Sequence, residues 1–207
     1  MAEADPSILQ ELMQRGQLWK GQVSASFQRQ VMPSGFAELD QALGGGWPQA
    51  GLVEVFAPVG VGLSLLLPLF AHLSQQSKFM IWVLPPFVPY APALQRQGVD
   101  LNRLLLLSPN DLQQALWAAE QSLGSGRCAL LLLWADPVTS RQMRRLQLAA
   151  EAGDALAILF RPEKARRRAS VAAWRLALRP DAEGLQVEIL KCKGGWGART
   201  LRLPCCG

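Results

Sequence analysis

Long apolar runs are missing from this sequence. The longest unbroken one, Cys128 to Ala135, has eight residues, against the roughly 18 that a membrane-spanning helix needs. The N-terminus, MAEADPSILQ, lacks the basic and cleavable apolar segments of a secretory leader. Both absences point to a cytoplasmic protein without membrane contact. Histidine occurs once, at His72, and the four cysteines, Cys128, Cys192, Cys205 and Cys206, form no paired C-x-x-C motif. No zinc site, other metal or cofactor is therefore expected, and the cysteines read as reduced thiols. Acidic residues become scarce toward the C-terminus: residues 161–207 hold 4 Asp/Glu against 11 Lys/Arg, whereas residues 1–160 hold 12 against 10. The net charge of +5 is thus concentrated at one end, as expected of a face that meets a polyanion or an acidic protein, or of a solvated basic surface.

Half of the 207 residues are apolar, enough for one good core and too few for two ordinary domains. The expected organisation is an N-terminal helix and linker over residues 1–33, a core over 34–160, and a basic loop with C-terminal strands over 161–207 in the same domain. Pro6 suits the first turn of a helix, and Ile8, Leu9, Leu12 and Met13 then form an apolar stripe. That stripe requires a cover, from the chain's own core, from a second copy or from another protein.

The stretch Gly45 to Leu67 organises the rest. It reads as a strand over 52–56, a glycine-bearing turn over 57–62 and a leucine-rich helix over 65–73 with Pro68 in its first turns, which is the architecture of a P-loop. In G-x-x-x-x-G-K-[ST], backbone N–H groups close around phosphates, the lysine neutralises the outer ones and the hydroxyl holds magnesium. Gly60, Gly62 and Ser64 keep the turn and the hydroxyl, but Ala57 replaces the first glycine and Leu63 the lysine. Backbone amides alone leave a triphosphate largely uncompensated, so this degenerate P-loop is not expected to bind nucleotide.

Downstream, a strand over 78–84 ends in Pro85-Pro86, with Pro89 and Pro92 following. These prolines suggest a rigid docking loop rather than a site of proton transfer. A helix over 92–97, a strand over 104–107, a helix over 110–123 and an apolar strand over 129–134 lead to Asp136. That carboxylate stands as a vestigial Walker B acid or as a helix cap. An amphipathic helix over 139–153 places Arg141, Arg144 and Arg145 near one side, with Leu146, Leu148 and Ala149 inward, before a strand over 155–160. This alternation predicts an α/β fold, a mostly parallel sheet with helices on both faces. Beyond it, Arg161, Lys164, Arg166, Arg167 and Arg168 form a basic, mobile loop suited to phosphates of DNA or to a partner. Strands over 174–178, 185–191 and 200–203, with a turn over 194–197, are antiparallel.

The segment SGFAELDQALGGGWPQAGLVEVFAP, residues 34–58, resembles the lead-in to the ATPase core of RecA-type recombinases, with Gly35, Leu39-Asp40, Gly44-Gly45-Gly46 and the strand in that order. The resemblance implies a RecA-like fold and an N-terminal helix that packs on a neighbouring protomer. With the P-loop lysine and the catalytic glutamate absent, it implies no catalytic residues and no enzyme. Over most of its length the chain resembles the ImuA family, on QLWKG (17–21), SGFAELDQALGGGWP, PYAPALQRQGVDLNRLL (89–105), ALWAAEQSLGSG (115–126) and RRLQLAAEAGDALAILFRP (144–162). That likeness implies an accessory scaffold of SOS-induced translesion DNA synthesis. Its partners would be the inactive Y-family polymerase homologue ImuB, an error-prone replicative-type polymerase, RecA and DNA. A second resemblance, in LLLPLFAHLSQQSKFMIWVLPP (65–86) and AEAGDALAILFRP (150–162), is to SulA, the SOS cell-division inhibitor that binds FtsZ. An ATPase in which a cation from elsewhere replaces the missing lysine is the third expectation.

Overall fold

The computed structural model describes residues 31–192 and 199–204. The stripe Ile8, Leu9, Leu12 and Met13, the turn over 194–197 and the pair Cys205-Cys206 lie outside the described residues. Two short strands, β1 (Val31–Met32) and β2 (Trp47–Pro48), pair antiparallel on either side of helix α1 (Ala37–Leu43). Leu39 and Leu43 bury the helix on the core. The carboxylate of Asp40 accepts from the Ser34 N–H at 2.8 Å and closes the loop before it. Gly44, in the left-handed conformation at φ 80°, stops the helix.

Strands and helices then alternate: β3 (Gly51–Phe56), α2 (Leu63–Ser74), β4 (Phe79–Val83), α3 (Ala91–Arg96), β5 (Leu104–Leu107), α4 (Leu112–Gly124), β6 (Cys128–Trp134), α5 (Ser140–Ala152) and β7 (Leu156–Arg161). With β8 (Trp174–Asp181), β9 (Gly184–Lys191) and β10 (Arg199–Pro204) they build one eight-stranded sheet of order β10-β9-β8-β3-β7-β6-β4-β5. Pairing is parallel from β8 to β5 and antiparallel through β8, β9 and β10. The mixed α/β architecture with a mostly parallel sheet and antiparallel C-terminal strands is therefore as expected.

The period-two alternation of strand side chains divides the core. Val53, Val55, Met80, Trp82, Leu130, Leu132 and Ile158 meet Leu39 of α1 and Leu65, Leu66, Leu69 and Phe70 of α2 on one face. Leu52, Ile81, Val83, Leu131, Leu133 and Leu159 meet Ala115, Ala119 and Leu123 of α4 and Met143, Leu146 and Ala150 of α5 on the other. Two details differ from the sequence-based expectation. Helix α2 starts at Leu63 rather than Leu65, so Pro68 falls in the second turn and leaves a carbonyl one turn back without its usual partner. Its ring lies against Gly35, where a Cβ would come within 2.5 Å of it. On α5, Leu148 points outward and is 48% exposed, while Gln147 turns inward and its Oε1 accepts from the Leu52 N–H at 2.9 Å.

The expected mobile basic loop is instead a strap across the sheet. A 3-10 turn over Glu163–Ala165 follows β7, and Ala165 and Ala172 are fully buried, with Ala165 packed on Phe56 and Ala177 where no helix reaches. Small apolar side chains at those two positions let a loop lie close on strands β3 and β8, and that close packing is what orders it.

Candidate functional site

At the carboxyl edge of the sheet, the turn after β3 is tied down by the Ala57 N–H donating to the Arg161 carbonyl at 3.1 Å and the Val61 N–H donating to Pro58 at 3.1 Å. Gly60 and Gly62 both take positive φ, 82° and 108°, which non-glycine residues rarely adopt. The space beside Gly62 is filled: a Cβ there would lie 2.8 Å from Leu178 Cδ1 and 3.0 Å from Phe160 Cε1. Leu63 begins α2 half-buried and packs on the core, and Ser64 beside it is half-buried too.

A depression of about 270 Å³ opens next to this turn, walled by Ala57, Pro58, Val59, Pro86 and the aromatic faces of Trp134 and Phe160. Those two rings stack 5.0 Å apart at 7°. Its polar wall is Asp136 and Arg161. Arg161 is 2% exposed and its charge is consumed internally: it donates to Glu54 Oε1 at 2.9 Å and to Asp136 Oδ1 at 2.8 Å. Arg168 donates to the same Asp136 oxygen at 3.1 Å, and Arg175 donates to Glu54 Oε2 at 2.9 Å and to the Arg166 carbonyl at 2.9 Å. Two buried or half-buried carboxylates thus hold three guanidiniums and fasten the strap to β3.

Among the cations assigned to a DNA-facing or partner-facing arm, Arg161 and Arg168 lie in this network, and Arg166 donates to Glu188 and Glu163. Those ion pairs raise the Arg166 pKa, the hydrogen bond to Glu188 being the main cause. Only Lys164 and Arg167 stay exposed with no acidic partner among the described residues. The expected free arm for DNA or a partner is therefore narrowed, because acids brought up by tertiary folding engage three of its five cations. Asp136 is likewise no helix cap, because Thr139 caps α5 through a reciprocal bond with Gln142. Glu54, the centre of the network, reads in the sequence as part of an apolar strand; a lone acid in such a strand is the signal that marks it.

The loop from β4 to α3 is the most exposed apolar feature. Val88 is 87% exposed, Tyr90 69% and Phe87 66%, with Val59 of the neighbouring turn at 73%. Phe87 lies over Gly60, whose Cβ position is 3.3 Å from its ring. Leu84 opens the loop at φ 52°, an unfavourable conformation for leucine held by its N–H donating to the Leu107 carbonyl at 2.9 Å. Pro85, Pro86 and Pro89 stiffen the rest of the loop.

The family described as "Cell division inhibitor SulA" matches residues 57–157. The Cell division inhibitor SulA of Edwardsiella piscicida is 33% identical over 123 residues, which cover 56% of this chain and 71% of that protein. The chain belongs to the SulA family. Its counterpart in Serratia marcescens is 30% identical over 100 residues, 48% of this chain and 60% of that relative, and that of Yersinia pestis (strain Pestoides F) is 32% identical over 98 residues and 58% covered. The chain thus spans less than two thirds of the length of these last two relatives. A solved SulA from Pseudomonas aeruginosa is similar at 26% identity and a TM-score of 0.45, over 53% of this chain and 97% of that one.

Membership in the SulA family overturns the assignment to the ImuA family. With it go translesion synthesis as the function and ImuB, the error-prone polymerase, RecA, DNA and a neighbouring protomer as the expected partners. The recombinase-like lead-in over residues 34–58 lies almost wholly before the SulA-matched residues, which begin at Ala57 in the turn itself. Among the described residues, eight of the nine exposed large apolar side chains fall within residues 57–157, Val171 being the exception. No helix among the described residues is long and apolar enough to cross a membrane.

Proposed function

We propose that this protein is a non-catalytic, SOS-linked inhibitor of cell division that binds the tubulin-like division protein FtsZ in the cytoplasm and keeps it from polymerising. The observation that carries this reading is the exposed, proline-stiffened apolar loop Phe87-Val88-Pro89-Tyr90, which lies within the SulA-matched residues. Large apolar side chains held rigid lose little entropy on docking, so they favour a protein partner over solvent. The relatives' name, cell division inhibitor, supplies the process.

The frame beneath the loop is that of a RecA-like fold whose P-loop has been given over to packing. In support stand the parallel run β8-β3-β7-β6-β4-β5 and the glycine turn at the end of β3. Phosphates would meet Leu178 and Phe160 beside Gly62 and a cation, Arg161, already neutralised by two carboxylates. An enzymatic role is therefore not part of this reading.

The test is FtsZ sedimentation with GTP in the presence of the purified protein. The wild type is expected to reduce the pelleted polymer, and Phe87→Asp to weaken that inhibition by at least about tenfold. Because Phe87 is exposed, its replacement should leave stability within about 0.5 kcal/mol. Unchanged FtsZ polymerisation at excess wild-type protein would refute the proposal.

A further inference from the structure

The depression beside the glycine turn is continuous with the exposed apolar loop. Val59 and Pro86 both line it. Val59 is 73% exposed, and Phe87, next in sequence to Pro86, lies over Gly60 with its ring 3.3 Å from where a Cβ would stand. A protein seated on Val59 and Phe87 therefore roofs the depression. At about 270 Å³ the space falls below the roughly 300–1,000 Å³ of small-molecule sites, and it suits one inserted side chain.

The walls say what kind of side chain. Every lining residue except Asp136 and Arg161 is apolar, so the body of the occupant is apolar as well. Arg161 is already spent on Glu54 and Asp136. Asp136 is only half used: Arg161 Nε and Nη2 and Arg168 Nη1 all donate to its Oδ1, at 3.2, 2.8 and 3.1 Å, and its Oδ2 accepts from no other side chain or N–H among the described residues. With the side chain 12% exposed, solvent still reaches this carboxylate. Roofing it with a purely apolar surface would leave a carboxylate oxygen buried without a donor, which is costly. A donor carried by the occupant removes that cost. Charge narrows the choice further, because a cation would enter against the guanidiniums of Arg161 and Arg168 and an anion against the remaining oxygen of Asp136. A neutral donor is what remains.

We propose that this depression takes one neutral side chain of FtsZ, apolar along its body and carrying at its tip an O–H or N–H that donates to Asp136 Oδ2. The proposal rests on the FtsZ reading and adds to it a division of labour: the Phe87 loop supplies contact area, and the depression selects the side chain that fixes the register of the two proteins.

Three aromatic probes share one ring and differ at its tip: p-cresol carries a neutral donor, p-methylanisole no donor and p-methylbenzylamine a cation. Each is titrated into the full chain with isotope-labelled methyl groups, and the shifts of the Val59 methyls, assigned by their loss in Val59→Ala, report binding. p-Cresol is expected to bind at least about fivefold more tightly than either of the others. Asp136→Asn keeps one oxygen for the guanidiniums and replaces the other by an amide donor. It should bring p-cresol and p-methylanisole to equal affinity and weaken the inhibition of FtsZ sedimentation by about tenfold. Should that variant fail to fold, the ranking of the three probes on the wild type decides by itself. No Val59 shift with any probe, equal binding of p-cresol and p-methylanisole, tightest binding of the amine, or a folded Asp136→Asn protein that inhibits FtsZ as the wild type does would each overturn the proposal. The FtsZ reading fails by a different result, polymer unchanged by excess wild-type protein.

Discussion

Single side chains explain most clearly why the basic end of this chain is not free. Arg161 is buried between Glu54 and Asp136, so its role is structural. Arg161→Ala would leave Glu54 buried with Arg175 as its remaining partner and is expected to cost about 3–5 kcal/mol. Arg161→Lys should recover only part of this, since one ammonium cannot span two carboxylates as a guanidinium fork does. Urea denaturation measures both, and a loss below about 1 kcal/mol for the alanine variant would show that the network is dispensable. Cys128 carries a second residue-scale consequence. Burial at the start of β6 pushes its thiol from 9.0 up to about 12, against smaller lowering effects from the Leu130 backbone and Lys78. Because the unfolded chain releases this proton first, the stabilisation is complete below pH 9 and is lost as pH rises toward 12. Stability should therefore fall by up to about 1.4 kcal/mol per pH unit in that window. Cys128→Ala should flatten the slope, and an unchanged slope would remove the assignment.

At the level of elements, the strap over 162–173 departs from its expected role, while the loop over 84–90 keeps the rigid, exposed character that its prolines predict. The strap is rich in charge, yet Ala165 and Ala172 seat it on the sheet and Glu188, Glu163 and Asp136 engage the guanidiniums of Arg166 and Arg168. The β4–α3 loop is apolar and would be buried if hydrophobicity alone decided. Its prolines and the strained Leu84 hold Phe87, Val88 and Tyr90 out in solvent instead. With the strap largely neutralised, the binding expectation rests on the apolar loop alone, and the Phe87→Asp sedimentation experiment belongs to this scale. An exposed apolar loop that made no difference to FtsZ would leave its rigidity without a use.

For the whole molecule, the carboxyl edge of the sheet is where an α/β fold of this kind usually receives a ligand. Here that edge offers an apolar depression, neutralised acids and filled space beside Gly62. Magnesium and ATP are accordingly expected to leave the thermal midpoint unchanged. A ligand present at about a hundred times its Kd would add about 2.7 kcal/mol and raise the midpoint of a chain this size by several degrees. A rise of that size with ATP, abolished in Ser64→Ala, would restore the nucleotide reading.

Much of the architecture was legible from residues alone. Periodicity and the proline and glycine punctuation located the strands and helices to within a few residues, because those signals act between near neighbours along the chain. The Leu63 substitution in the glycine turn and the proline loop after β4 were visible for the same reason. The partners of Arg161, Arg166 and Arg168 were not. Glu54 lies 107 residues from Arg161, Glu188 22 from Arg166 and Asp136 32 from Arg168; the parallel pairing of β3 with β7 brings the first pair together, and the pairing of β8 with β9 and of β6 with β7 sets the places of Glu188 and Asp136. Local pattern determines which segments become strands and helices; how the sheet orders them decides which charges are spent inside and which apolar side chains remain to meet another protein.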